Sequence, residues 1–397
     1  MEEFEVAIIG NGVIGTLAAL RLAESGLRVA LAGKPGRPGS ASTAAGAMLN
    51  VYGEVDGPLD DYARRKIAIG KRAIALWRAM LPTDVFVADR TRVYRKAGCS
   101  PLETRCFDAI ASAASIRPKA WGTMDVVVLE NEPAVSSPAL FEWMDNRLRS
   151  LGVAICETVP RARRTVHCAG AFTRVPGTLP VYFGVGNALV ISDVEINIPP
   201  RTVVRSPNRG NTCGVHLVPR GSSYYLGAGS YIDTGPSEGY RIETLRYLVK
   251  CIEDDFGVET WQASIQPVKG YRPISLDGKP MLGPLSENPN VYVATGTKRD
   301  GLTYAPVIAD DILAWATGRP RDIFSGWEPD RQPISFGTKA HAIEVYIENR
   351  IAALNEHGRS MTPDRARKDA EAAYARAAGH LKLPNDFGLH PELLHVI

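Results

Sequence analysis

The chain has 397 residues, 45% of them hydrophobic and 22% charged, with a formal net charge of +3. This is the composition of a globular protein with room for two or three domains, and it excludes fibrous, disordered and membrane-spanning classes. No dense basic run accompanies the small net charge, so neither nucleic acid nor a membrane is an expected partner. The six cysteines (Cys99, Cys106, Cys156, Cys168, Cys213, Cys251) show no C-x-x-C spacing and no histidine at metal-ligand spacing. They read as free thiols of a reducing compartment, and no metal is expected. The first strand begins near residue 4 and no apolar run would span a bilayer, so the expected location is cytoplasmic.

The apolar run Val6–Ile9 predicts a buried parallel strand. Gly10, Gly12 and Gly15 follow with the spacing G-x-G-x-x-G and open an apolar helix that ends at Gly26. Gly10 permits the tight turn, Gly12 lets backbone approach a pyrophosphate, and Gly15 lets helix and strand pack closely. Arg28–Leu31 returns as a second strand, completing a strand–turn–helix–strand unit expected to bind a dinucleotide, the alternative being a glycine-rich turn that only serves packing. An acid normally ends that strand and holds the adenosine ribose. Here the strand ends in Ala32-Gly33-Lys34. Lys34 and Arg37 would suit a 2′-phosphate, and so NADP; two solvated basic residues in the loop Gly33–Gly39 are the simpler reading.

Gly39–Met48 is a run of small and hydroxyl residues, suited to a flat ligand lying on backbone or to a flexible surface loop. Residues 59–81 carry a helical pattern stopped by Pro82, and Phe86–Tyr94 reads as one strand. Ser100 and Pro101 open a second helix to Ile116. Asp125–Leu129 is a short strand, Ala139–Ser150 an amphipathic helix, and Val153–Cys156 a strand. Thr165–Ala171 gives a strand running into a small-residue turn that would pass under a cofactor. Val181 to about Ile265 is β-rich (Ala188–Val194, Thr212–Val218, Tyr224–Gly229), interrupted by a helix at Ile242–Phe256. It holds Tyr224, Tyr225 and Tyr231.

Gly270–Pro284 is next, then a strand at Val291–Ala294, the turn Thr295–Thr303 and a helix over Pro306–Thr317. Beyond residue 327 the composition shifts. Ala340, Ile343, Ile347, Ile351 and Leu354 form one helical stripe, and Thr362-Pro363-Asp364 caps a second helix rich in alanine and charge. An apolar stripe of this kind has to dock, and the body of its own chain is the expected place, with another subunit as the alternative. Charged residues of the second helix, among them Arg365, Lys368 and Glu371, read as a solvated face.

The glycine triplet, the loop Ser40–Met48, V-H-C-A-G-A-F-T from Val166, R-P-x-x-x-D-G-x-P-x-x-G from Arg272 and T-G-x-x-R-D-G from Thr295 occur in this order. In them the chain resembles the FAD-dependent D-amino acid oxidase superfamily, nearest its glycine oxidase and sarcosine oxidase branch, over residues 1–320. The resemblance implies an α/β fold. A Rossmann-like FAD-binding domain would be built from residues 1–58, 136–178 and 268–326. A β-rich α+β substrate domain would comprise 59–135 and 179–267, and a helical extension 327–397. It also implies oxidation of the C–N bond of an amino acid or carboxylate-bearing amine, with O2 as acceptor and H2O2 as product, and leaves a homo-oligomer open. Gly10, Gly12, Val13, Ile14 and Gly15 would hold the pyrophosphate. Ser40, Ser42, Thr43, Ala45, Gly46 and Met48 would line the flavin, and Val159, Ala169 and Gly170 would also contact the cofactor. Gly296, Arg299, Gly301, Leu302 and Thr303 would meet the ring's pyrimidine side. Arg272 and Arg299 would stand on the substrate side, with Tyr231 as a further catalytic residue; alternatively each arginine pairs with an aspartate such as Asp277 or Asp300.

The sequence departs from the family pattern at five places. Gly33 replaces the ribose-binding acid, and only Pro160–Thr165 remains where a β-meander is usual. Phe172 replaces a tryptophan, Thr297 stands where many members have histidine, and Tyr271 aligns with the cysteine that attaches flavin covalently. FAD is therefore expected to be non-covalent. A flavin dehydrogenase using another acceptor, or a catalytically reduced scaffold that binds partners, are the alternatives.

Overall fold

The computed structural model describes residues 4–208, 213–381 and 383–396. Val6, Ala7 and Ile8 are fully buried and form the middle of β1 (Phe4–Ile9), the strand around which the first sheet is laid. Beside it lie β2 (Val29–Ala32) and β9 (Ala162–His167), both parallel, with Ile8 opposite Leu31 and Val166. β8 (Ala154–Cys156) and β16 (Val291–Thr295) extend the parallel array. β15 (Met281–Pro284) closes one edge antiparallel, giving the order β15-β16-β9-β1-β2-β8. An apolar run buried on both faces forms a parallel strand because helices cover the sheet on either side. The helix α1 (Val13–Glu24) packs against α4 (Ser137–Ser150) and α6 (Gly301–Ala316), and α6 also carries α2 (Asp61–Met80).

The second sheet has eight strands in the order β14-β10-β13-β12-β11-β4-β6-β5. Its long strands are β10 (Val181–Ser192), β13 (Ser223–Asp233) and β14 (Ser264–Ser275). β4 (Arg90–Lys96), β5 (Lys119–Trp121), β6 (Met124–Leu129), β11 (Thr202–Arg205) and β12 (His216–Arg220) complete it. β3 (Phe86–Ala88) and β7 (Ala134–Val135) form a separate two-stranded ribbon. The helices α3 (Pro101–Ala114), begun by a Ser100/Glu103 capping box, and α5 (Ile242–Phe256) pack on the second sheet.

Several boundaries differ from the sequence expectation; β10, for one, begins at Val181 and not at Ala188, and β13 runs on to Asp233. The strand expected over Phe86–Tyr94 is two strands in different sheets, turning at Asp89, whose carboxylate is forked by Arg201 at 2.8 Å. The stretch read as a short remnant before Val166 supplies most of β9, because β1 needs a neighbour from Phe4 onward. The strand expected from Thr212 begins, among described residues, at His216; Thr212 itself lies outside them. Finally, α6 starts at Gly301 rather than at Pro306, which sits inside it. Proline has no N–H for the carbonyl of Leu302. The buried Trp77 indole supplies one instead, donating to Leu302 O at 3.1 Å and Thr303 O at 3.2 Å.

The C-terminal helices α7 (Lys339–Glu356) and α8 (Pro363–Leu381) lie on the second sheet. Ile343 and Ile347 of the expected stripe are buried, Ile351 and Leu354 are half-buried, and Ala340 is exposed. Ile343 and Ile347, with Ile351 packed against them, share a core with Ile274 and Leu276 of the β14 end and with Ala366, Ala370, Ala373 and Ala377 of α8. The alanines of α8 are thus its packing face, while Arg365 and Lys368 stay exposed. Trp327 belongs to the first core, stacked 5.7 Å from Phe324.

Candidate active site

At the carboxyl edge of β1, Gly10 adopts φ +117°, and a Cβ there would stand 2.5 Å from the Cys168 carbonyl after β9. A Cβ on Gly15 would lie 1.8 Å from Gly10 O, so this glycine is required for helix–strand contact. Gly12 differs: its nearest neighbour would be Ser42 Oγ at 3.4 Å. As N-cap of α1, Gly12 offers no side-chain acceptor, and the first-turn amide of Val13 donates to Ser42 Oγ at 3.2 Å. A helix start on a cavity wall beside a bare glycine is a seat for an anionic group.

That seat opens into a cavity of about 820 Å³ between the two sheets' loops. Gly10, Gly12, Val13, Ile14, Ser40, Ser42, Ala45, Gly46, Met48, Val159, Ala169 and Gly170 line it, as do Arg272, Arg299, Gly301, Leu302 and Thr303. Gly15, Thr43, Gly296 and Tyr231 do not. Gly15 works in packing; Thr43 is exposed and bonds Ser40 O at 3.3 Å; Gly296 turns the chain at φ +71°. The hydroxyl of Tyr231 bonds with Ser237 at 3.1 Å, and Arg241 stacks 3.3 Å over its ring, so the expected catalytic tyrosine is engaged outside the cavity wall.

The loop Gly39–Met48 is pinned rather than loose. Tyr271 N donates to Gly39 O at 3.1 Å, Tyr225 Oη to Ala44 O at 2.9 Å, and Arg220 to Ala45 O at 2.8 Å. Arg37 is likewise engaged: it pairs with Asp145 at 2.5 Å, donates to Asn11 O and stacks on Phe141 at 4.2 Å. A 2′-phosphate would have to break that pair, so the NADP alternative is not supported.

The far end of the cavity is charged. Glu54 accepts from Arg205 at 3.1 Å and from Asn208 at 3.2 Å, and it pairs with Arg299 at 3.1 Å. Burial would push its carboxyl up, but the charges of Arg299 and Arg205 outweigh that and hold it well below the usual carboxylate range. Glu132, fully buried, accepts the N–H groups of Val51, Tyr52 and Gly53 and so fixes the turn that carries Glu54. Its own carboxyl is pushed up to about 7 by burial, against those bonds. His216 stacks on Tyr225 with centroids 5.8 Å apart, and its Nδ1 lies 2.9 Å from Gly214 O. Burial, with Arg205 adding to it, lowers its pKa to about 3, while burial pushes Tyr225 up to about 12. Both rings are neutral at physiological pH. Lys298 pairs with Glu392 from the C-terminal segment at 2.7 Å.

Arg272 stands apart from these pairs. Its guanidinium donates to Ser230 Oγ at 3.3 Å and joins no ion pair among the described residues. A Cβ on Gly186 would come within 2.6 Å of that guanidinium, so β10 makes room for it with a glycine. The aspartates proposed as its partners are taken, Asp277 by Arg331 and Asp300 by Lys66, both at 2.8 Å. Arg299 does pair, though with Glu54 and, at 3.8 Å, Asp56. The sequence reading missed Glu54, Glu132, Arg205 and His216. Nothing in their local sequence marks them: Arg205 ends the run Thr202-Val203-Val204, which Arg201 opens in the same way.

Among the described residues no group of side chains would hold a metal, no helix is long and apolar enough to cross a membrane, and all six cysteines are free. A search of curated proteins returned no match. Among solved structures, glycine oxidase from Geobacillus kaustophilus superposes with a TM-score of 0.70 at 20% identity, covering 84% of this chain and 100% of that chain. Iminodiacetate oxidase from Chelativorans sp. BNC1 gives 0.68 at 17%, covering 82% and 99%. L-proline dehydrogenase from P. horikoshii gives 0.66 at 15%, covering 83% and 98%. At such identities the likeness speaks for the fold. The family model for FAD dependent oxidoreductase (DAO) matches residues 5–94 and 126–315. The glycine cradle at the start of α1 fits that cofactor, and the chain belongs to the FAD-dependent oxidoreductases of the DAO family.

Proposed function

We propose that the protein oxidises the C–N bond of an amino acid or related carboxylate-bearing amine. The observation that carries this reading is Arg272, a cation in the cavity wall without an internal counter-ion. An arginine left unpaired at a concave site calls for a planar anion, and a carboxylate accepts its two parallel N–H bonds. The relatives named for glycine, iminodiacetate and L-proline all act on amines bearing a carboxylate, which supports the same class. Gly10, Gly12, Val13 and Ile14 would hold the pyrophosphate, Ser40, Ser42, Ala45, Gly46 and Met48 would lie along the flavin, and Gly301, Leu302 and Thr303 would meet its pyrimidine side. Tyr271 in place of a cysteine leaves the cofactor non-covalent. Bound FAD would supply the two-electron oxidation of the C–N bond, giving an imine that hydrolyses, with O2 as the acceptor and H2O2 as its product.

The residues of the chain orient the substrate. Arg272 fixes the carboxylate, and the neutral His216 and Tyr225 leave the amine no adjacent strong base, so it reacts from its neutral form. Arg272→Lys should raise KM roughly tenfold to a hundredfold while flavin content stays constant, because lysine forms no parallel pair of bonds. Peroxide release from a panel of amino acids and N-substituted glycines measures it. Unchanged kinetics in that variant would sink the assignment, and flavin bleaching without peroxide would replace oxygen by another acceptor.

A further inference from the structure

The adenosine end of the cavity has a carboxylate, carried by a different strand from the usual one. An acid ending the second strand ordinarily accepts from the adenosine ribose hydroxyls. Here Gly33 holds that position, and the structure gives the reason: a Cβ on Gly33 would fall 2.4 Å from Asn11 Cγ. Asn11 occupies the space because its Nδ2 donates to Lys34 O at 3.0 Å across the same strand end. No side chain at 33 coexists with that arrangement.

β8 runs parallel to β2, with Ala32 opposite Cys156, and Gly33 N donates to Cys156 O at 2.9 Å. The next residue, Glu157, therefore lies beside Gly33 at the carboxyl edge of the sheet. It lines the same cavity as Asn11, Gly33 and Lys34. Its carboxylate is exposed, and it makes no hydrogen bond or ion pair among the described residues. An unengaged acceptor on the cavity wall, one strand over from the vacated position, meets the geometric requirement for a vicinal diol.

We infer that Glu157 binds the adenosine ribose of the cofactor, taking over from β8 the contact that Gly33 has given up on β2. This rests on the dinucleotide seat described above and is independent of the substrate assigned to it. The test compares wild-type protein with Glu157→Ala and Glu157→Gln, reading the fluorescence of flavin released when the holoprotein is diluted. Losing a charged acceptor should raise the Kd for FAD roughly tenfold to a hundredfold in Glu157→Ala, with a smaller rise in Glu157→Gln. Reconstitution with FAD carrying 2′,3′-dideoxyadenosine should reduce the difference between wild type and Glu157→Ala to less than about threefold, since both hydroxyls of the diol are gone. FAD retention in Glu157→Ala within about twofold of wild type overturns the assignment, as does an equal loss with the dideoxy analogue. A wild-type protein that retains no FAD overturns the seat itself instead.

Discussion

The two ends of the cavity are built in opposite ways. The end proposed to seat the pyrophosphate is backbone: Gly10, Gly12 and the first turn of α1, within six residues of one another, held by contacts that forbid a side chain at Gly10 and Gly15. The far end is side chains drawn from distant segments: Glu54, Arg205, His216, Arg272, Arg299 and, behind Lys298, Glu392 of the C-terminal segment. A backbone seat is stiff and general, and the same turn accepts any pyrophosphate. A charged end assembled from several elements depends on every one of them, since a buried charge left alone costs several kcal/mol.

Truncation should therefore strike hardest. A chain ending at residue 335, which keeps Trp327 and Arg331, would uncover Ile274 and Leu276 and release Lys298 from Glu392. It is expected to aggregate on expression; a soluble, flavin-bound and fully active truncation would show the two ends to be independent of the helices. Next in size is Glu54→Gln, which leaves Arg205 (1% exposed) and Arg299 (12% exposed) without their shared carboxylate. The expected loss is about 3–5 kcal/mol in chemical denaturation. A change under about 1 kcal/mol would mean that water or Asp56 already screens the pair.

Gly12→Ala addresses the other end. Its added methyl meets nothing in the protein closer than 3.4 Å, so folding should be untouched while FAD affinity falls roughly tenfold to a hundredfold through intrusion into the seat. Gly15→Ala, by contrast, should fail to fold. Equal behaviour of the two variants would erase the distinction between a ligand glycine and a packing glycine. Flavin absorbance per folded chain decides it.

The smallest effect is the pH dependence from His216. The native imidazole stays neutral down to about pH 3, whereas in the unfolded chain it takes a proton near its ordinary value of 6.5. Between those values the unfolded state binds more protons, so stability falls as pH drops through that window. His216→Asn should flatten the slope, recovering on the order of 2 kcal/mol between pH 6.5 and pH 5. Glu132, whose carboxyl is pushed up to about 7, acts with the opposite sign, costing stability as pH rises from 4.5 to about 7. Melting temperatures of the variant that track those of wild type from pH 7 to pH 5 would place His216 in contact with water.

The local half of this protein was legible in its residues. An apolar strand, three spaced glycines and an apolar helix dictate β1, the turn and α1 through steric contacts only a few residues apart. The capping box at Ser100 and the helix Ile242–Phe256 are legible for the same reason. What tertiary structure decided was everything resting on which strand lies beside which. The pairing of β8 with β2 brings Glu157 to the edge that Gly33 vacates. The docking of α7 and α8 on the β14 end brings Glu392 to Lys298. Trp77 replaces a proton that Pro306 lacks. A charged side chain carries no mark in sequence of the partner it will meet, because its energy is set by burial and by neighbours that only the folded chain assembles.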